Sequence, residues 1–191
     1  MIQHLAVLEE KYGLNAIAVD DARGRLAVAD DLGGVRIWTF RGDGSGSKNI
    51  APETLEGILY DVAWLPSREA VAVVGKAGLF VFGTDAEVRV ELPQRDLQTL
   101  AVVDENRVLV AGADQKLRLL HLPDGRPLGA VPCGERNSGI CRRPGGAAST
   151  FAVAACFQAG SQLCWAELHG EGLVPGKGAE MRWTGDFVGP P

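Results

Sequence analysis

The chain has 191 residues, of which 46% are hydrophobic and 23% are charged, and its formal net charge is −5 at neutral pH. This composition fits one folded domain or a tight pair, and the scattered lysines and arginines indicate no basic stripe for nucleic acid. With 25 glycines, 10 prolines and 6% aromatic residues, the balance favours many short strands joined by turns over a few long helices.

The N-terminus has neither the basic start nor the long apolar core of a signal peptide, and no apolar run approaches the roughly 18 residues that span a bilayer. We therefore expect an intracellular protein of the cytoplasm or nucleus, with no membrane partner. Its cysteines should then stay reduced, and no C-x-x-C pair occurs among them. Small buried thiols are the simpler interpretation than a structural zinc site for Cys133, Cys141, Cys156 and Cys164.

In chain order, residues 1–12 contain a short apolar segment that predicts one extra N-terminal strand. A first triplet of strands follows, separated by turn residues, and is predicted at 15–20, 25–30 and 35–40. The Gly- and Ser-rich run 42–47 comes after this triplet, and we interpret it as a flexible hairpin loop.

Three further triplets of the same kind follow along the chain. They are predicted at 58–65, 70–74 and 79–82, then at 97–103, 107–111 and 116–122, and finally at 139–142, 150–157 and 162–168. A more polar fourth strand follows each triplet, most clearly at 87–92. The middle strands are almost wholly apolar, so we expect both of their faces to be covered.

Matched positions recur along these triplets at Trp38, Phe82, Leu120 and Trp165, with spacings of 44, 38 and 45 residues. Such a period is typical of propeller blades, whose inner strands lie between neighbouring blades. The sequence therefore predicts an all-β, β-propeller-like fold of about four four-stranded blades. Their approximate bounds are 13–57, 58–95, 96–137 and 138–180. A β-sandwich is the alternative fold, and residues 181–191 are predicted as a C-terminal tail.

Two stretches resemble the WD40 repeat. Residues 31–38 place Asp31 in a tight turn before a strand that contains Trp38, and residues 113–120 form a weaker copy with Asp114. Trp165 is the matching aromatic residue of the fourth blade. The Gly-His pair and the Trp-Asp dipeptide of the family are missing, so apolar packing must stabilise these degenerate blades.

The WD40 resemblance implies a ring of about seven blades, whereas this chain supplies about four. Three arrangements remain open: a truncated longer propeller, a half ring completed by a second chain, or a compact four-bladed ring. In a partial ring the end blades expose apolar faces, which allows self-association.

The resemblance also implies a non-catalytic scaffold or adaptor for protein partners. No local histidine pair, nucleophile elbow or phosphate loop is present, so we expect no enzyme activity, no cofactor and no metal. Trp183 and Phe187 in the tail are the candidate partner-binding residues.

Two alternative functions remain open. One is a non-catalytic helper subunit of an RNA-modifying or RNA-processing enzyme, for which direct nucleic-acid contact is not expected. The other is a propeller enzyme with an axial metal, held by turn aspartates. Turn formation is the simpler interpretation of these carboxylates, which belong to Asp20, Asp21, Asp30 and Asp31.

Overall fold

The computed structural model describes residues 13–41, 44–50, 57–93, 96–133, 136–142, 150–157, 160–169 and 172–175. Within these residues, sixteen strands form four antiparallel sheets of four strands each, and the strands of each sheet follow chain order. The predicted all-β class with four four-stranded units is confirmed. No helix in the described ranges is long and apolar enough to cross a membrane.

Each sheet begins with an innermost strand and ends with an outermost one. The first sheet contains β1 (Leu14–Asp20), β2 (Arg25–Asp30), β3 (Val35–Arg41) and β4 (Gly44–Asn49). The second contains β5 (Leu59–Leu65), β6 (Ala70–Gly75), β7 (Leu79–Gly83) and β8 (Val88–Leu92). The third contains β9 (Leu97–Val102), β10 (Arg107–Gly112), β11 (Lys116–His121) and β12 (Pro127–Pro132). The fourth contains β13 (Arg136–Arg142), β14 (Thr150–Phe157), β15 (Gly160–His169) and β16 (Gly172–Pro175).

The first three strands of every sheet match the predicted triplets, but the loop predicted at 42–47 is wrong over most of its length. Gly44–Asn49 forms β4, which pairs with β3 from Arg41 opposite Gly44 to Arg36 opposite Asn49. An outermost strand needs only the backbone partners that its neighbour offers, so a Gly- and Ser-rich sequence can occupy it. The extra strand predicted within 1–12 and the tail 181–191 lie outside the described residues.

The sheets pack in sequence, because β1 contacts β5, β5 contacts β9, and β9 contacts β13. We define the front face of a sheet as the face turned to the preceding sheet, and the back face as the one turned to the next. In the second sheet, Val62, Trp64 and Val73 belong to the front face. Leu65, Val74 and Val81 belong to its back face. Every residue of β6 is buried, which confirms that a middle strand is covered on both faces.

Packing between sheets forms three apolar cores, one at each junction. Between the third and fourth sheets, Leu109 and Leu119 meet Phe151 and Leu173. Over the described residues, no contact of comparable extent joins the first sheet to the fourth. The described sheets therefore form an open arc, with one front face and one back face left at its two ends.

The innermost strands carry a β-bulge at the same place in all four sheets. In each case the register with the second strand skips one residue, and the extra residues are Asn15, Tyr60, Gln98 and Ser138. Bulges change the direction of neighbouring side chains. Beside them, polar groups join adjacent innermost strands: the Asn15 side-chain amide donates a hydrogen bond to the Leu59 carbonyl oxygen at 2.9 Å.

Candidate functional site

Charged side chains gather along one rim of the arc, where one set of strand ends lies, and we name this rim the turn end. It is formed by the connections between first and second strands and by those between third and fourth strands. Several contacts there cross from one sheet to the next. The Lys48 ammonium donates to the Thr84 carbonyl oxygen at 3.1 Å, and the Arg68 guanidinium donates to the Asn106 side-chain oxygen. The turn end is therefore a surface shared by the first three sheets.

Arg25 is the centre of a charged cluster at the turn end. Its guanidinium donates two hydrogen bonds to one oxygen of Asp20, at 2.6 and 3.1 Å, and a third to Glu69 of the second sheet at 2.6 Å. It also lies 4.5 Å from the centre of the Trp64 ring, where a cation–π contact is favourable. This cluster fixes the first sheet against the second.

Burial alone would raise the pKa of the Asp20 carboxyl, but the hydrogen bonds and charge of Arg25, followed by those of Arg23, hold that pKa below its ordinary value. Burial alone would also lower the pKa of Arg25, whereas its bonds to Asp20 and Glu69 raise it. Asp20 is 6% exposed. The Asp20 carboxylate therefore stays charged inside the cluster. Because the arginines already occupy it, this arrangement does not favour binding of a metal cation.

Replacing Asp20 with Ala should lower the free energy of unfolding by about 2 kcal/mol at pH 7, because Arg25 loses a charged acceptor. Since the folded pKa is depressed, this stabilisation is complete above the unfolded pKa of about 3.9 and is lost as the pH falls through the lower folded value. Urea unfolding of Asp20→Ala and the wild type at pH 7, 5, 4 and 3 checks this. The exposed neighbour Asp21→Ala is the matched control, and equal losses in both variants at pH 7 would contradict the prediction.

The third sheet adds a groove of about 330 Å³ to the turn end. Its lining is mixed in charge and comprises Asp104, Glu105, Asn106, Arg107, His121, Arg126 and Leu128. Arg107 lies 2.7 Å from the Asp104 carboxylate, and the His121 ring nitrogen Nδ1 lies 2.7 Å from Asp124. Arg126 is 60% exposed and its nearest approach to the Asp124 carboxylate by Nε is 3.7 Å. The groove therefore combines fixed charges with one exposed cation.

The pKa values in the groove follow from these ion pairs. Burial alone would raise the pKa of Asp104, but the hydrogen bond from Arg107 and a backbone N–H bond hold it below its ordinary value. The hydrogen bond with His121, followed by the Arg126 N–H bond, lowers the pKa of Asp124. Both carboxylates thus remain acceptors at neutral pH and orient the side chains beside them.

The two signature residues of the first sheet, Asp31 and Trp38, differ in burial. Asp31 is exposed in the turn after β2, while Trp38 lies on β3 opposite Leu26 and is half-buried. Asp30, 2% exposed, is the residue that orders this turn: its side-chain oxygen accepts N–H bonds from Leu32 at 2.9 Å and Gly34 at 2.7 Å. The interpretation of these aspartates as turn formers is confirmed for Asp30, which sequence reasoning did not select as a blade signature.

Asp114 is exposed in the corresponding turn of the third sheet, where its carboxylate binds the Arg118 guanidinium. That hydrogen bond, which outweighs the opposing effect of burial, lowers the pKa of Asp114. Trp165 lies opposite Ala152, whereas Ala166 lies opposite Phe151. Phe151 has the same place in β14 as Leu26 in β2 and Val71 in β6, and those two residues pair with Trp38 and Phe82. The register therefore places Ala166 at the position of Trp38. The sequence match to Trp165 is therefore displaced by one residue.

The structure describes only some of the remaining residues that the sequence singled out. Trp183 and Phe187 lie outside the described residues, and so does His4. Cys133 is buried, but Cys141 is exposed, so the expectation of four buried thiols is wrong for Cys141. In the described part of the chain, no group of three His, Cys, Asp or Glu side chains could hold a metal ion. The RNA-helper and axial-metal alternatives stay predictions.

Comparison with known proteins gives a structural match. A chain in a crystal structure of a mitotic checkpoint complex is 12% identical, with a TM-score of 0.71 over 88% of this chain and 53% of that chain. The fold is a WD40-like propeller type. This chain spans about half the length of the solved chain it matches. No protein-family model matches it, and neither does any curated protein.

Proposed function

We propose that this WD40-like chain is a non-catalytic protein-interaction scaffold that binds a protein partner at the turn end. The observation that supports the proposal is the groove of the third sheet, set among charged side chains that local ion pairs hold in place. A binding surface whose side chains are already ordered loses less conformational entropy on association. Complementary charges then select the partner and speed its encounter.

Arg126 is the residue in the groove that we assign to direct contact with the partner. Its side chain is 60% exposed, while Arg107 is held by Asp104 at 2.7 Å. A partner carboxylate can therefore approach Arg126 without first breaking a short ion pair. Leu128, half-buried beside it, offers an apolar contact in the same groove. The groove thus fits a partner segment with an acidic and an apolar side chain.

Arg126→Glu should reduce recovery of the specific partner at least tenfold, because it places a negative charge where the proposal requires a positive one. The measurement is affinity capture on the full chain, with quantitative mass spectrometry of proteins that wild type recovers above a blank resin. Lys76→Glu is the control: it makes the same charge change on an exposed residue in the turn between β6 and β7, on the rim opposite the turn end. Unchanged recovery by Arg126→Glu would contradict the assignment of the groove.

A further inference from the structure

We infer that the groove of the third sheet binds a partner segment that carries a basic as well as an acidic side chain, and that Glu105 contacts the basic one. This inference rests on the proposed function, because it concerns the partner of the same groove. Glu105 is exposed and lines the groove together with Arg126. Among the described residues, the Glu105 carboxylate makes no hydrogen bond or ion pair. The groove therefore presents two opposite charges that do not neutralise each other.

The balance of charge at the groove does not favour a purely acidic partner. Asp104 lines the groove, and Asp124 lies 3.7 Å from Arg126, so that three carboxylates including Glu105 stand against the guanidinium groups of Arg107 and Arg126. Hydrogen bonds keep the pKa values of Asp104 and Asp124 below their ordinary values, so both are charged at neutral pH. A segment with only acidic side chains would therefore meet more like charges than opposite ones. A basic side chain on the same segment corrects this imbalance.

His121 adds a second acceptor for a basic side chain. Its Nδ1 lies 2.7 Å from the Asp124 carboxylate, and an ionised carboxylate can only accept a hydrogen bond. In the neutral ring the proton therefore belongs to Nδ1, and Nε2 keeps its lone pair. Nε2 has no hydrogen-bond partner in the described part of the chain. An ammonium or guanidinium group has enough N–H donors for both Glu105 and His121, whereas a carboxylate has none.

Hydrogen bonds hold in place the two turns that carry the opposite charges. The Asp104 carboxylate accepts the Asn106 N–H at 2.9 Å, which orders the turn around Glu105. The Asp124 carboxylate accepts the Arg126 N–H at 3.0 Å in the second turn. The backbone positions of Glu105 and Arg126 are therefore fixed relative to each other. Little ordering of the chain is then needed before a partner binds at both residues.

Selection from a phage library of random short peptides, panned on the immobilised full chain, tests the inference. Wild type should enrich peptides that contain both Asp or Glu and Lys or Arg. Glu105→Lys should reduce the enrichment of Lys and Arg about tenfold and keep that of Asp and Glu, while Arg126→Glu should do the reverse. Asp21→Lys is the matched control, because it makes the same charge reversal on an exposed residue between the first two strands of the first sheet.

The outcomes of the selection separate the inference from the proposal that it extends. A selection without enriched peptides, or an acidic preference that Arg126→Glu leaves unchanged, overturns both. Acidic peptides that lack a basic residue, or a basic preference that survives Glu105→Lys, overturn the inference alone. An equal loss of the basic preference in Asp21→Lys does the same, because it shows an effect of overall charge.

A charge swap tests the contact of Glu105 itself. The best selected peptide, synthesised with its basic residue changed to Glu, should bind wild type about tenfold more weakly in fluorescence anisotropy. The same changed peptide should bind Glu105→Lys more tightly than it binds wild type, because opposite charges then meet again. Weaker binding to wild type without this recovery overturns the assignment of Glu105.

Discussion

Gly75→Ala is expected to lower the free energy of unfolding by about 3 kcal/mol. Gly75 ends β6, and a Cβ placed there would collide with the Ile58 carbonyl oxygen and lie 2.9 Å from Cδ2 of Leu59. The Ile58 oxygen cannot retreat easily, because it accepts the Lys76 N–H bond at 3.0 Å. The methyl group therefore forces apart the first two strands of the second sheet. Urea unfolding followed by circular dichroism measures the loss.

Gly139→Ala is the matched control for this prediction. Gly139 also lies in a strand, but a Cβ added to it meets no atom within 4 Å. We expect its free energy of unfolding to stay within about 0.5 kcal/mol of wild type. Gly112, at the same place as Gly75 in the third sheet, should behave like Gly75, because its Cβ would lie 2.7 Å from the Asp96 carbonyl oxygen. Equal values for Gly75→Ala and Gly139→Ala would contradict the steric argument.

Asp61→Ala is expected to cost about 3 kcal/mol of unfolding free energy, because two groups of the third sheet lose their acceptor. One oxygen of the Asp61 carboxylate accepts from the Thr99 hydroxyl and from the Leu100 N–H, both at 2.9 Å. Thr99 is 2% exposed, so water does not easily replace the lost oxygen. The other oxygen accepts the Val62 N–H at 2.8 Å.

The double variant Asp61→Ala with Thr99→Val separates this hydrogen bond from general packing. Replacing both partners with apolar groups removes the unsatisfied hydroxyl, so the double variant should be more stable than Asp61→Ala alone by about 1 kcal/mol. Urea unfolding of the four proteins in the cycle gives the coupling energy. Strictly additive losses would show that Asp61 acts without Thr99.

The strands of the inner triplets were predictable because they alternate with clear turn residues, as between Arg25–Asp30 and Val35–Arg41. The outer strand β4 was not, because its Gly and Ser residues carry no side-chain pattern and it forms through backbone pairing with β3. In the fourth sheet, apolar residues run through β14 and β15 without regular alternation. Nothing there fixes the register, and the match to Trp165 instead of Ala166 follows from this.

The polar residues that organise the arc were harder to predict than its strands. Asp61 acts through partners that only folding brings near it, because Thr99 lies 38 residues further along the chain. From sequence, Asp61 looks like an ordinary polar break in an apolar run, whereas Asp30 was recognisable as a turn former. The groove of the third sheet was also missed, since its residues come from two separate connections.

Each innermost strand packs against the innermost strand of the next sheet, and this affects how such a protein can gain or lose sheets. A sheet in this arc meets only the one before it and the one after it, and both contacts use the same pair of surfaces. In the described residues, the extensive contacts of a middle sheet are with its two adjacent sheets, so they do not depend on how many further sheets the arc has. Loss of a unit at either end would leave every remaining junction intact, because each junction involves only two neighbouring sheets.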